Sequence, residues 1–510
     1  IFTKDLKFII PAFLVTILLH IILWIAYPLH FGPDGHNYIY YFVDFFNKEP
    51  MLPMVLTYRT PVAPLFYGFL LQAGGTLAVT IASEIMLLSL IPAIYLLALS
   101  WGRNVSIAAT VLFILFLPFH IQFHQIGSDA LFSWFIILFF LSFKYALENK
   151  NIWSWAVLGI ISSLTILTRP SGLVIVLALL SVFFLKINFK NILKLAGVYL
   201  LCIIAILGSF VIYKGARFND YTISRGSSYT AFMRTYTLHE PLFSPENGPG
   251  SEKLVQIIEG ELLDTELYEK YDITLEKILT HRHARRFLGD IIVSVDKAEG
   301  WDSEYALLEK VAFESIRVNP VSYLKNYLKD IINLATIEHV VPETPAPNDT
   351  KLYLNDISNI SEENLPEPTE GELIPFSNTW WMLSSPEGEL PTQSEVNNFN
   401  EKYEKIATDV ENVQGSPGMV RIIEILWDNI KIPIFYFWIF GILGIILSRR
   451  NKRIILIYIF AISAIIIVGT LYAAHVYTRY RLPLDPLIMI SGVAGFFMVI
   501  EKIKNKREIS

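Results

Sequence analysis

The chain contains one cysteine and little charge. Cys202 lies within an apolar stretch, so a disulfide within the chain is excluded and we expect Cys202 to be a packing residue. Only 17% of the 510 residues are charged, whereas 53% are hydrophobic and 14% are aromatic. A soluble protein of this length needs a larger polar share to cover its surface. The composition therefore favours a protein that lies in a membrane.

The apolar residues cluster into stretches that are long enough to cross a bilayer. About 20 apolar residues cross a hydrocarbon core of about 30 Å. No small-residue cleavage site follows the first stretch, so we expect it to be a retained span and not a signal peptide. We predict ten spans, near residues 8–28, 80–101, 104–121, 128–147, 153–168, 171–187, 193–213, 430–448, 453–475 and 483–500.

The positions of Lys and Arg predict the orientation of these spans. If both termini are cytoplasmic, every inner connection is rich in bases and poor in acids, as the positive-inside rule requires. The inner basic segments are 4–7, 103, 144–150, 186–194, 449–453 and 502–507. The long polar region between residues 214 and 429, which holds most of the 47 acidic residues, then lies outside.

Residues 61–78 are apolar enough to suggest a further span. A full span there would invert every later connection and would place Arg449 and Arg453 outside. We therefore predict that residues 37–78 form helices that lie in or dip into the outer interface, interrupted by Pro61, Pro64 and Gly75. The alternative is a full span with a re-entrant partner elsewhere in the chain.

These observations predict an all-α polytopic membrane protein with three parts. Residues 1–213 form an N-terminal membrane module with seven spans, including a first outer loop at 29–79. Residues 214–429 form a mixed, mainly helical outer region, and residues 430–510 form a C-terminal module with three spans. Within the outer region we predict two amphipathic helices over 303–335, broken at Asn319-Pro320, a loop over 340–395 and helix over 396–429. No nucleic-acid-binding signature is present.

Two acidic residues lie at the outer ends of spans. Asp34 follows the first span and Asp129 precedes the fourth. Together they could bind a cation, or one could act as a general base that the other supports. The structural alternatives are an N-cap role for Asp129 and a Pro-Asp-Gly turn for Asp34.

Five histidines also lie near outer span ends, and none lies on an inner connection. His120 and His124 are four residues apart and would share a helix face. A divalent metal held by these two with Asp34 or Asp129 is one interpretation, and ordinary hydrogen bonding is the other. The five are His30, His36, His120, His124 and His475.

Four arginines occur in the outer connections close to the spans, against the orientation bias. They are Arg59, Arg169, Arg479 and Arg481. A guanidinium binds phosphate through two hydrogen bonds, and a basic pocket between spans can hold a lipid headgroup. The alternative is that these side chains extend to ordinary lipid phosphate, which we consider mainly for Arg59.

The order and sidedness of these motifs resemble the GT-C membrane glycosyltransferases, specifically the bacterial relatives of protein O-mannosyltransferases and lipid A aminoarabinose transferases. The resemblance covers most of the chain except roughly 340–425. Gly35 stands where the family usually has a second acid. The matching segments are Asp34 to Tyr38, Arg59 to Tyr67, Gly127 to Asp129, Arg169 to Gly172, Asn319 to Tyr323 and Arg479 to Pro483.

The resemblance implies transfer of a sugar from a polyprenyl-phosphate carrier to a protein, lipid or glycan acceptor, with inversion, on the outer face of a membrane that is expected to be a bacterial inner membrane. Asp34 would be the base, assisted by Asp129 or His36. The phosphate would be bound by Arg479 and Arg481, with Arg169 and Arg59. Further residues expected to line the substrate cavity are Asn37, Tyr38, His475 and Tyr480. The cofactor is left open, with a divalent metal at His120 and His124 as one alternative.

Two other functions remain open. A transporter or flippase for a lipid-linked saccharide would need charged residues near the bilayer midplane, where only His20 and Glu84 are candidates. An inactive scaffold with the same fold is the other, because Gly35 replaces the second acid.

Overall fold

The computed structural model describes residues 2–32, 34–184, 188–237, 242–280, 285–342, 385–386, 391–447, 466 and 478–507. Within these ranges the regular secondary structure is helical apart from two strands of two residues each. The predicted all-α polytopic class is therefore confirmed.

The described residues of the N-terminal module form nine α-helices and the strand pair. The helices are α1 (Phe2–Ala26), α2 (Gly35–Phe45), α3 (Pro53–Tyr58), α4 (Val62–Ala98), α5 (Arg103–Leu115), α6 (Leu117–Ile121), α7 (Ser128–Asn149), α8 (Ile152–Thr168) and α9 (Phe189–Phe218). The strands are β1 (His30–Phe31) and β2 (Gln125–Ile126), and Pro170–Phe184 is a 3-10 helix. A large apolar core joins these elements and includes side chains from the last helix of the chain.

Helix α4 is broken at Gly74 and Gly75. Its 37 residues would measure about 55 Å if straight, almost twice a hydrocarbon core. Gly75 has φ 61° and ψ −154°, a conformation that is open essentially to glycine alone. Residues 62–73 are thus a separate helical segment, and Gly68 within it lies so close to Phe42 of α2 that a Cβ would overlap the ring. The helical interpretation of 37–78 is correct, and its interfacial position stays a prediction.

Among the described residues, six helices are long and apolar enough to cross a membrane, and a bent pair would make seven. The pair is Arg103–Leu115 and Leu117–His124, which meet at 63° where Pro118 follows the first helix. Each of the ten predicted spans except the ninth has a helical counterpart, although α8 and Pro170–Phe184 are short. The ninth, 453–475, lies outside the described residues apart from Ile466. The count of ten therefore stays a prediction.

Residues 214–429 are mainly helical where the structure describes them, as predicted, and their position outside the membrane stays a prediction. The helices of this region are α10 (Ser227–Thr237), α11 (Pro249–Ile258), α12 (Glu266–Lys270), α13 (Leu275–Thr280), α14 (Arg285–Glu299), α15 (Ala306–Val318), α16 (Pro320–Thr336), α17 (Gln393–Glu411) and α18 (Pro417–Ile430). Helices α10 to α15 enclose a second apolar core that also contains Met54 of α3. The break at Asn319-Pro320 occurs where the sequence predicts it, since Pro320 begins α16. Most of the predicted loop 340–395 lies outside the described residues.

The last two described outer helices pack against the membrane module. Helix α17 lies on α2, and α18 lies on α1. The C-terminal module contains α19 (Ile434–Leu447) and α20 (Asp485–Arg507), which pack closely against each other, and α20 also contacts α5. The loops that carry the candidate site are therefore covered by α17 on one side.

Candidate functional site

A short parallel strand pair brings the two predicted carboxylates together. His30 pairs with Gln125 and Phe31 with Ile126, and the Gly32 amide donates to the Ile126 carbonyl at 3.1 Å. Asp34 and Asp129 each follow the pair by three residues. The matched register therefore places the two acids at the same end of the two segments, as the predicted topology requires.

The Asp34 carboxylate lies between two arginines. Its Oδ1 is 3.2 Å from Nη2 of Arg59, and its Oδ2 is 3.6 Å from Nη1 of Arg479. The residue precedes α2 with φ 67° and makes no side-chain cap hydrogen bond. Asp is one of the few residues that tolerate this left-handed conformation. The Asp34 carboxylate thus pairs with the two arginines and does not cap α2.

The Asp129 carboxylate is bound by Arg169. The predicted N-cap role does not occur, because Gly127 occupies the N-cap of α7 and Asp129 lies in its first turn. Arg169 lies at the C-terminal end of α8, and its guanidinium forms an ion pair with Asp129. The guanidinium carbon of Arg169 lies 5.6 Å from the ring centroid of Tyr480. Both acids are therefore available for the site.

Three arginines face two carboxylates in this cluster, so its formal charge is +1 when all five groups are ionised. The Arg59 guanidinium holds the pKa of Asp34 below its usual value against the opposing effect of burial, and Arg479 and Arg169 add to that lowering. Side-chain exposure is 36% for Asp34 and 27% for Arg479, so the cluster is open to a ligand. The excess of guanidinium groups favours an anionic one.

Aromatic and hydroxyl groups line the cluster beside Arg59. Its guanidinium carbon is 4.8 Å from the ring centroid of Tyr58 and 5.5 Å from that of Tyr38, and its Nε is buried without a hydrogen-bond partner. The Tyr38 hydroxyl donates to Oγ of Ser128 at 2.8 Å, and burial raises the pKa of Tyr38. Asn37 lies in the first turn of α2 and is half-buried. Tyr38 and Tyr480 thus lie beside arginines of the cluster, and the role of these two residues and of Asn37 in lining a substrate cavity stays a prediction.

His36 is held from the outer region. Its Nδ1 is 2.7 Å from the hydroxyl of Tyr403 in α17, and that hydroxyl donates to Oε1 of Glu411 at 2.8 Å. Burial lowers the pKa of His36 to about 4, so the ring is neutral at physiological pH, and its Nε2 is buried without a partner. The sequence reasoning missed Tyr403 and Glu411, which lie more than 360 residues away in the chain.

Arg481 is not brought to the cluster. Its Nε donates to Oδ1 of Asp485 at 2.8 Å, and its two terminal nitrogens donate to the carbonyls of Leu334 and Ile337 at 2.8 and 2.7 Å. The side chains of Arg481 and Asp485 are fully buried, and His339 binds the second Asp485 oxygen. A guanidinium with this many protein partners anchors α16 and lies outside the phosphate site that the sequence suggests for it.

The remaining histidines lie apart from the two aspartates. His120 and His124 share a face, since the ring centroid of His20 is 5.1 Å from one and 5.3 Å from the other. Within the described part of the chain, the one set of three metal-binding side chains close enough to share an ion is His20, Glu84 and His124. His30 bonds the Pro28 carbonyl, and His475 lies outside the described residues.

No protein-family model matches the chain, and no curated protein matches it. Among solved structures, an oligosaccharyltransferase of Archaeoglobus fulgidus tethered to an acceptor peptide is similar at a TM-score of 0.44 and 12% identity, over 99% of this chain and 50% of that one. The oligosaccharyltransferase AglB of the same organism, bound to an inhibitory peptide and dolichol-phosphate, is similar at 0.40 and 12% over 99% and 51%. ArnT from Cupriavidus metallidurans is similar at 0.31 and 12% over 93% and 76%.

Two of these solved structures are oligosaccharyltransferases, and the third is ArnT. The chain spans about half the length of the oligosaccharyltransferases that it matches. At 12% identity and TM-scores below 0.5, no residue role is transferred from them.

Proposed function

We propose that the chain is a membrane glycosyltransferase that moves a sugar from a polyprenyl-phosphate donor to an acceptor on the outer face. The observation that carries the proposal is the Asp34 carboxylate, held between Arg59 and Arg479 at the outer end of the bundle. It combines a base with cations that suit a phosphate, in a protein whose apolar helices give a lipid-linked substrate direct access from the bilayer.

The arginines would stabilise the negative charge of the leaving group. When the bond between the anomeric carbon and the phosphate oxygen breaks, the polyprenyl phosphate gains negative charge. Arg59 and Arg479 would stabilise that charge with hydrogen bonds made strongest in the transition state. Arg169, paired with Asp129, would hold the third side of the phosphate site.

Asp34 would be the general base for the acceptor. The acceptor hydroxyl or amine forms the new bond to the anomeric carbon from the face opposite the departing phosphate, and it gives its proton to the Asp34 carboxylate. A single displacement of this kind inverts the anomeric centre. A positioned base typically contributes about 10²- to 10⁴-fold to the rate. Neutral His36 would hydrogen-bond the acceptor through Nε2.

Asp34→Asn and Arg479→Ala separate the two roles. We expect Asp34→Asn to lower sugar transfer from a polyprenyl-phosphate sugar by at least about 100-fold while polyprenyl phosphate still binds. We expect Arg479→Ala to weaken the binding of polyprenyl phosphate itself, measured by native mass spectrometry of the purified protein. The matched control is Arg421→Ala, an arginine that is 74% exposed and paired with Glu424.

Two results would contradict the proposal. Full transfer activity in Asp34→Asn would refute the role of Asp34 as the base. Equal binding of polyprenyl phosphate in wild type, Arg479→Ala and Arg421→Ala would refute the role of Arg479 in the phosphate site. Lipid-phosphate binding without any transfer in the wild type would favour the inactive scaffold.

A further inference from the structure

Three ionisable side chains that the proposed reaction does not use meet inside the helix bundle. His20 comes from α1, Glu84 from α4 and His124 from the turn that follows α6. One ligand atom from each lies within 4.8 Å of the other two. Both histidines are 2% exposed, and the Glu84 side chain is 17% exposed. Groups of this polarity need partners in such a position.

The hydrogen bonds of His120 determine which nitrogen of His20 carries a proton. His120 Nε2 lies 2.9 Å from the Phe113 carbonyl, which can only accept, so Nε2 is protonated. In the neutral ring His120 Nδ1 is then an acceptor, and it lies 2.8 Å from Nε2 of His20. His20 must donate from Nε2. Its Nδ1 therefore carries a lone pair when the ring is neutral.

That lone pair faces a carboxylate oxygen, since His20 Nδ1 lies 2.8 Å from Oε1 of Glu84. Two acceptors at this distance repel each other unless a proton or a metal cation joins them. Among the described residues, the basic side chain within ion-pair distance of Glu84 is His20. No lysine or arginine there supplies a positive charge to the Glu84 carboxylate.

His124 offers a second lone pair to the same place. Its ring donates to the backbone carbonyl of Tyr27, and its Nε2 is buried with no hydrogen-bond partner among the residues that the structure describes. A histidine whose one nitrogen is fixed by a carbonyl presents the other as a metal ligand. Two unprotonated imidazole nitrogens and one carboxylate thus converge.

We propose that His20 Nδ1, Glu84 and His124 Nε2 bind one divalent transition-metal ion of the zinc type. Two imidazoles with one carboxylate are an established ligand set for zinc, with a fourth position left for water. The ion would neutralise the buried carboxylate. His120 with the Phe113 carbonyl, and the Tyr27 carbonyl, would orient the ligands. Bonds of about 2.0 Å in a tetrahedral site set the ligand separations at about 3.3 Å, so the 2.8 Å between His20 Nδ1 and Glu84 Oε1 would widen slightly and longer separations would contract.

The position of this site gives the ion a structural role. His124 directly precedes β2, and α1, which carries His20, leads into β1. An ion bound there joins the two segments whose pairing places Asp34 and Asp129. The site includes neither aspartate and none of the residues assigned to the transfer reaction, so zinc binding itself can be measured without an assay of sugar transfer.

Metal analysis of the full chain tests the site. Protein without a histidine tag is purified in detergent, stripped with EDTA, loaded with Zn²⁺, desalted and measured by plasma mass spectrometry. We expect about one zinc per chain in the wild type, and affinity at least 100-fold weaker in Glu84→Gln and in His124→Ala. His120→Phe should weaken binding by about 10- to 100-fold, because it removes an orienting partner. His36→Gln changes a half-buried histidine outside this cluster, so this variant should bind zinc as the wild type does.

Zinc below about 0.1 per chain in the loaded wild type would overturn the proposal, as would equal zinc in the wild type, Glu84→Gln and His124→Ala. If those variants do not fold, X-ray absorption at the zinc edge of the wild type decides. Scattering from two imidazoles supports the site, and a spectrum without imidazole scattering refutes it.

Discussion

Replacement of Arg481 by Met should destabilise the protein strongly through the loss of one buried anchor. The guanidinium binds Asp485 and two carbonyls near the end of α16, all within the protein interior. In Arg481→Met the buried Asp485 carboxylate keeps His339 alone, and the carbonyls of Leu334 and Ile337 lose their donor. Breaking a buried ion pair by removing one partner typically costs about 3–5 kcal/mol.

The double variant shows whether the pair or the packing is responsible. Asp485→Asn should cost a comparable amount, and Arg481→Met with Asp485→Asn should cost clearly less than the two single changes together, because no uncompensated charge remains buried. The measurement is thermal unfolding of the detergent-solubilised protein. Arg421→Gln is the matched control, and as an exposed arginine it should change stability by at most about 0.5 kcal/mol.

The alternative for Arg481 is the phosphate role that the sequence suggests. Unchanged thermal stability in Arg481→Met, together with lost binding of polyprenyl phosphate, would refute the anchoring role. Our expectation is the reverse: any Arg481 variant that stays folded should bind polyprenyl phosphate normally, whereas Arg479→Ala should not.

Three further outcomes follow from the geometry. Burial lowers the pKa of His36 to about 4, below the value near 6.5 of an unfolded chain, so the unfolded state binds the proton first. The contribution of His36 to the free energy of unfolding should be constant above pH about 6.5 and should fall by about 1.4 kcal/mol per pH unit as the pH drops towards 4. In His36→Gln this pH-dependent loss should be absent from thermal melts across that range. Gly75→Ala should cost about 1–3 kcal/mol because of its positive φ, whereas Gly197→Ala, with nothing near its added methyl group, should be neutral or stabilising in the same melts. The acid limb of kcat should lie at higher pH than that of kcat/KM, because bound donor phosphate competes with Asp34 for Arg59 and Arg479. Coincident limbs would argue against that competition.

Hydropathy and charge predicted much of the fold because a bilayer makes simple demands. Apolar length reveals helices, and the lysines and arginines of the inner turns predict their direction. The break at Asn319-Pro320 was also predictable, since proline lacks the amide that a helix interior requires. The 3-10 winding of Pro170–Phe184 was not, because its residues have no pattern that separates it from an α-helix.

The site was predicted in part. Sidedness alone indicated that Asp34, Asp129, Arg59, Arg169 and Arg479 share a face. The partners of each acid came from long-range packing, and two-residue strands such as His30–Phe31 have too little sequence to carry a recognisable pattern.

The histidines show the limit most clearly. Two of them, His120 and His124, were singled out by their spacing, but their partners His20 and Glu84 lie on helices 36 or more residues away. Only packing shows that α1 and α4 present those groups to the same point.

The arrangement of Asp34 bears on when the site becomes reactive. A carboxylate whose pKa is lowered by Arg59 is a weak base while the guanidinium groups of Arg59 and Arg479 bind no other anion. A phosphate entering between Arg59 and Arg479 takes their hydrogen bonds and charge, so the Asp34 carboxylate loses stabilisation and its pKa rises. The base is then strongest when the donor is bound, and Gly35 in place of a second acid removes a charge that would compete for the same arginines.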